Sequence, residues 1–235
     1  MTRNTLLSLL GGAALAFAPM AALAQDKSGE NVQMTAADSE AGPVSKVALA
    51  QDLFAHASET KNAVAALAAA QIMMGVDLAD VEREKETKAN PDMTDVTEEG
   101  EGVDAPVDAD AMLAAATEFA GGDPSITGLI EDAMAEGSRG RIGGASRTLS
   151  RLPAGQIDVF KVPFYGARLA ELAIIGDGDA DLDLLVTDEN GNTICVDRSY
   201  SDKLYCAFTP RWDGYFLVAV ANQGRVRNSY YILTN

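Results

Sequence analysis

Apolar and polar positions alternate with two different periods along this chain, and the change of period divides it. After Pro43, Val47, Ala50, Leu53, Phe54 and Ala57 recur at three- and four-residue spacing, which predicts a helix with Ser45 as its cap. A tight connection over Ser58 to Asn62 leads into a second helix, Ala63 to Met74, with Val64, Leu67, Ala68 and Ile72 on one face. Its many alanines favour helix and let a neighbour approach closely. Asp108 or Asp110 caps a third helix through Met112, Ala115, Ala116 and Phe119. Asp123-Pro124 opens a fourth, carrying Ile126, Leu129, Ile130 and Met134 and ending at Gly137. Beyond Pro153 the period becomes two. Seven strands are predicted: Ile157–Tyr165, Arg168–Ile175, Asp181–Thr187, Thr193–Val196, Leu204–Phe208, Tyr215–Asn222 and Ser229–Leu233, separated by Gly- and Asn-rich turns.

Between these regimes the pattern weakens. Residues 77–110 hold 13 acidic and 3 basic residues with almost no bulky apolar side chain, too little to offset the entropy of ordering them. Val81 to Lys88 is read as extending a helix and 89–107 as a flexible, solvated loop. Residues 25–42 read as a disordered leader, and 138–152 as a Gly/Ser/Arg linker. The expected fold class is therefore α+β in two parts: an N-terminal acidic all-α region, 43–137, followed by a C-terminal antiparallel β-sandwich, 153–235, of jelly-roll-like form.

The first residues address the protein rather than fold it. A short basic start at Arg3, an apolar run from Leu6 to Ala18 and the small-x-small triplet Ala22-Leu23-Ala24 have the layout of a secretory signal peptide, residues 1–24, cleaved before Gln25. The run is shorter than the ~20 residues a membrane span needs. A periplasmic or secreted location is expected, without a transmembrane segment in the mature protein.

Charge follows the same division. Of the formal net charge of −17, residues 25–138 carry 24 acidic against 6 basic side chains, whereas 139–235 carry 11 of each. An acidic field of this size argues against nucleic acid, which is bound by neutralising phosphates, and against anionic lipid surfaces. The expected partner is a protein or polysaccharide of the cell envelope. The two cysteines, Cys195 and Cys206, are expected to form a disulfide in an oxidising compartment, on neighbouring antiparallel strands.

The strings DADLDLLVTDENGN, Asp179 to Asn192, and FTPRWDGYFLVAVANQG, Phe208 to Gly224, resemble the bacterial pre-peptidase C-terminal (PPC-like) domains. The matching features are the Asp-Leu-Asp-Leu strand at Asp181 to Leu184, the Asn190-Gly191 turn, and the aromatic-Gly-aromatic strand from Trp212 to Phe216. The resemblance spans roughly residues 150–235 and implies a jelly-roll-like accessory module for binding, targeting or folding. The helical half resembles no enzyme.

Candidate chemistry is sparse. His56 is the only imidazole, so any Ser-His-Asp or Cys-His mechanism would have to use it, and no nucleophile-elbow motif accompanies it. Asp177, Asp179, Asp181 and Asp183 alternate along one stretch, and clustered carboxylates suit Ca²⁺. Calcium is the one cofactor the sequence suggests, and the resembled family includes sandwiches that bind it near such loops. Against an EF-hand, Leu182 stands where Gly is required and Asp188 where Glu closes the loop. The same aspartates also fit the outward face of a strand and its turn. Tyr205, Trp212 and Tyr215 are candidates for a binding surface and equally for core packing. The expected function is a non-catalytic binding or envelope-associated role. The competing reading is an accessory subunit or hydrolase with a site at the junction of the two halves.

Overall fold

The structure is a computed structural model, which describes residues 27–33, 42–93, 96–136 and 144–235. The signal peptide and its cleavage point, most of the leader and the start of the linker lie outside the described residues. No described helix is long and apolar enough to cross a membrane.

Four helices form the first layer: α1 (Pro43–Thr60), α2 (Ala63–Met74), α3 (Ala109–Ala120) and α4 (Pro124–Glu136). Their ends are set by local chemistry. The Asn62 and Asp108 carboxamide and carboxylate oxygens accept from the third N–H beyond, at 3.0 and 2.9 Å, capping α2 and α3. Asp123 accepts from Ser125 N–H at 2.8 Å ahead of α4. α1 differs from expectation. Ser45 donates its hydroxyl to Gly42 C=O instead of capping, and the cap comes from 126 residues away.

Two five-stranded sheets make the other layers. The first runs β1 (Asp77–Asp80), β3 (Gly144–Leu152), β10 (Asn228–Thr234), β5 (Ala170–Ile175), β8 (Lys203–Phe208). The second runs β2 (Lys85–Ala89), β4 (Gln156–Phe164), β9 (Gly214–Asn222), β6 (Leu182–Thr187), β7 (Thr193–Asp197). Pairing is antiparallel except between β1 and β3. The expected α+β class, helices followed by a sandwich, is what the chain adopts.

Between the sheets Phe160, Phe164, Phe208 and Phe216 pack with Leu172, Ile174 and Tyr230. Phe164, Phe208 and Phe216 meet with ring centroids 4.8–5.7 Å apart. On its other face the first sheet carries the helices, and Ala145, Ala173, Ile175 and Leu233 join the alanine-rich helical core. All six residues of β5 are buried: Leu172 and Ile174 point into the sandwich, Ala173 and Ile175 under the helices. Glu171 shares the helical face. Its Oε1 accepts N–H groups of Gly42 and Ser45, at 3.2 and 3.3 Å, and the Tyr205 hydroxyl at 2.8 Å. A carboxylate at a helix N-terminus is favourable. A Cβ at Gly42 would fall on that carboxyl group, so a larger residue there would displace the Glu171 side chain from its cap.

Three strands differ from the sequence reading. The acidic stretch supplies β1 and β2, where a helical extension over Val81 to Lys88 was expected, and the linker span 138–152 contains β3. Their reason is a polar seam at one side of the sandwich. Asp158, fully buried on β4, accepts from Lys85 Nζ at 2.7 Å, Ser150 Oγ at 2.7 Å, Tyr230 OH at 2.8 Å and Thr87 Oγ1. Arg83 donates to Ser146, Thr148 and Thr234 hydroxyls. Alternate residues Lys85 and Thr87 reach the same carboxylate, which is period two without apolar residues. The run from β1 to β2 thus joins the edges of both sheets and covers open strands.

The expected loop at 89–107 begins with Ala89, the last residue of β2, and has no further helix or strand among its described residues, but it is tied to the sandwich. Asn90 N–H bonds Gly155 C=O, Glu99 pairs with Arg225 at 2.7 Å, and Ser229 Oγ donates to Val103 C=O. In the leader, described residues 27–33 are also anchored. Asn31 is buried. Its N–H bonds Asp188 at 2.8 Å and its Oδ1 accepts from Arg211 and Trp212 N–H.

Candidate functional site

Where the helical layer meets the first sheet, large side chains are scarce and the layers do not close. The result is a cavity of about 360 Å³, at the small end of the ~300–1,000 Å³ usual for small-molecule sites. Its floor is Ile175, Tyr231 and Leu233 of β5 and β10. Val47 and Gln51 of α1 and Met73 and Met74 of α2 form one wall. Val76, Leu78 and Val107 form the other. The methionines are flexible, polarisable side chains suited to moulding around a guest.

The polar groups are few and mostly engaged. Gln51 Nε2 donates to Val107 C=O at 2.7 Å. Arg147 of β3 donates through Nε to Asp80 Oδ1 at 2.7 Å and through Nη2 to Oδ2 at 3.4 Å, a forked pair. Its guanidinium lies 4.8 Å from the Tyr231 ring centroid. That hydrogen bond holds Asp80 below the usual carboxylate range and raises Arg147 above its ordinary value. Asp108 and Asp110, both exposed, stand at the rim where α3 begins. Among the described residues the lining holds no serine, cysteine or histidine.

His56 is exposed on α1 and lies outside this lining. Cys195 and Cys206 form the expected disulfide, with Cα atoms 6.3 Å apart. The strands they join are not antiparallel partners, however: β7 belongs to the second sheet and β8 to the first. The bridge therefore staples the two sheets at the side opposite the polar seam.

The four aspartates are held by different partners, although Asp179 and Asp181 line one hollow with Asp52 and Asp202. Asp177 accepts Ser229 N–H at 2.7 Å and Asp179 accepts Val103 N–H at 2.9 Å. Asp181 accepts Ser201 N–H at 3.2 Å, and Asp183 accepts Gln223 Nε2 at 2.8 Å. Each holds a different segment, Asp177 the start of β10 and the others loops. Burial, then neighbouring carboxylates, push Asp177 and Asp181 above the usual range. Among the described residues no three His, Cys, Asp or Glu side chains are placed to hold a metal ion.

The three aromatics are separated. Trp212 is buried and its Nε1 donates to Glu189. Tyr205 faces the helical side of the first sheet, where burial and then Glu171 push its hydroxyl well above its ordinary value. Tyr215 lies on the outer face of the second sheet under Lys161 Nζ, 3.9 Å from its ring centroid. They form no common surface.

Sequence reasoning missed Arg147, Asp80 and the cavity itself. The available signal was Val76-x-Leu78 in an acidic run and Ala145-x-Arg147-x-Leu149 in the linker, two short alternations.

No protein-family model matches the chain, and no curated protein does. Among solved structures it is similar to a pre-peptidase C-terminal domain of a collagenase from Bacillus anthracis, at 6% identity and TM-score 0.25, over 67% of this chain and 93% of that one. A further likeness is to an exo-β-1,3-galactanase from Phanerochaete chrysosporium, at 11% identity and TM-score 0.24, over 37% of this chain and 26% of that one. The C-terminal CBM6 of the laminarinase LamC from Zobellia galactanivorans matches at 9% identity and TM-score 0.22, over 37% and 88%. Likenesses of this size say nothing of what this chain binds.

Proposed function

We propose that this is a non-catalytic binding protein, exported to the periplasm or beyond, whose cavity between the helices and the first sheet takes a small, largely apolar ligand. The observation that carries the reading is the cavity's lining: an apolar floor and walls, with Gln51 and Arg147 already engaged by the protein. Groups so engaged orient a guest and do not attack it. The competing hydrolase reading stands second, because the junction offers no nucleophile paired with a base.

Export is supported by the N-terminal pattern and by the disulfide, which persists in oxidising compartments. Cleavage before Gln25 would also leave the anchored segment around Asn31 intact. N-terminal sequencing of protein from the host envelope or medium should begin at Gln25, and an intact Met1 there would refute export by cleavage. The outward partner, in this reading, is an envelope protein or polysaccharide.

Calorimetric titration with 1-octanol tests the ligand site. Saturable one-site binding is expected, lost in Val47→Trp, which fills the cavity, and kept in Val64→Trp, which alters an exposed position on α2. Equal binding by all three proteins would place the ligand elsewhere.

A further inference from the structure

The ligand's charge is legible at the cavity's rim, given the reading that the cavity is a ligand site. Among the described residues Arg147 is the one cation in the lining, and its charge is matched by the forked bond to Asp80. An anionic guest would have to break that pair. Asp108 and Asp110 add two negative charges at the mouth, offset in part by the start of α3 and by Arg147, which Asp108 also faces. Asp108 spends Oδ1 on the α3 cap but keeps its negative charge. A second source of negative potential is the end of α2. Met73 and Met74 are the last residues of α2, whose final turn contains no basic residue. A helix C-terminus carries roughly half a negative charge on its last carbonyl groups. The helix end and the two carboxylates therefore act in the same direction across an apolar cavity, within a chain of net charge −17.

We infer that the cavity selects an apolar ligand bearing a positive charge, an alkyl- or arylammonium, with its hydrocarbon on Ile175, Leu233 and the methionines and its cationic end between Asp108, Asp110 and the end of α2. The hydrocarbon supplies most of the affinity. The charge supplies discrimination, since a carboxylate of the same length meets like charge at the rim.

The test is calorimetric titration of the mature protein with n-octylammonium, 1-octanol and octanoate, all below their micellar concentrations. Octylammonium should bind about tenfold tighter than octanol, the size expected for an ammonium facing two partly exposed carboxylates, and octanoate weakest. In the Asp108→Asn/Asp110→Asn double variant that advantage should fall to within about threefold while octanol binding is unchanged. Asparagine is as good an N-cap as aspartate, so α3 keeps its start. Octanoate binding as tightly as octylammonium, or an ammonium preference that survives in the double variant, would overturn the charge assignment while leaving the apolar site standing. If none of the three probes binds, the cavity reading fails, and this inference with it.

Discussion

The two cores that share the first sheet are built from opposite materials. Between the sheets, four phenylalanines, Tyr230 and branched aliphatics interlock. In the helical core on its other face, Ala50, Ala57, Ala66, Ala69, Ala70 and Ala116 let the helices approach one another closely. Large side chains fill space from both sides and leave none. Small ones bring backbones together but cannot fill the gap where a flat sheet meets round helices, and that gap is the cavity under Val47 and Met73. The difference teaches where a guest can go: the aromatic core is full and the alanine core is not.

The sharpest way to break this comparison is to change each core in the direction it should tolerate least. Phe216→Ala, at a site with no solvent exposure, should cost about 3–5 kcal/mol in denaturant unfolding, because the interlocked rings cannot collapse into the hole. Removing the disulfide by Cys195→Ser with Cys206→Ser should cost ~3 kcal/mol, since the bridge closes a short loop between two sheets. Ala66→Leu should cost about 1–3 kcal/mol by overpacking. A core that tolerated leucine at Ala66 would be loose rather than close-packed, and the comparison would fail.

These contrasts also explain what was readable in the sequence. The strands after Ile157 were legible because large apolar residues mark every second position, as in Phe216, Val218 and Val220. α2 was legible from its alanines and from the polar run ending at Asn62. β1, β2 and β3 were not. On β3 the positions facing the second sheet are Ser146, Thr148 and Ser150, which bind Arg83, Lys85 and Asp158 in place of packing. A strand whose inward face is polar has no hydrophobic period to show. The cavity was hidden for the same reason, since Leu78 and Arg147 lie on those strands. Of the candidate site residues, the cysteine pair was legible from composition. Its cross-sheet geometry was not, because strand order is a property of the whole fold.

The smallest expected effect concerns pH and sharpens the role of the anchored leader. Burial works to raise Asp188, but Asn192 Nδ2 and the N–H groups of Asn31, Asn192 and Asn190 outweigh it and hold the carboxyl below its ordinary 3.8. A depressed value means the stabilisation is present above about pH 4 and is lost as pH falls through the lower folded value. Amide exchange at Asn31, whose N–H donates to Asp188 Oδ2, should therefore accelerate below pH 4, relative to the base-catalysed trend, while Phe160 stays protected. Unchanged protection at Asn31 would mean that the segment is held without that carboxylate.

The central claim, that the gap in the alanine core receives a ligand, is tested most directly by methyl NMR on protein with labelled methionines. Met73 and Met74 line the cavity, whereas Met93, Met112 and Met134 do not. Titration with 1-octanol should shift the Met73 and Met74 methyl resonances saturably and leave the other three in place. Met93, Met112 and Met134 signals that move together with those of Met73 and Met74 without saturating, or Met73 and Met74 signals that do not move at all, would contradict the account.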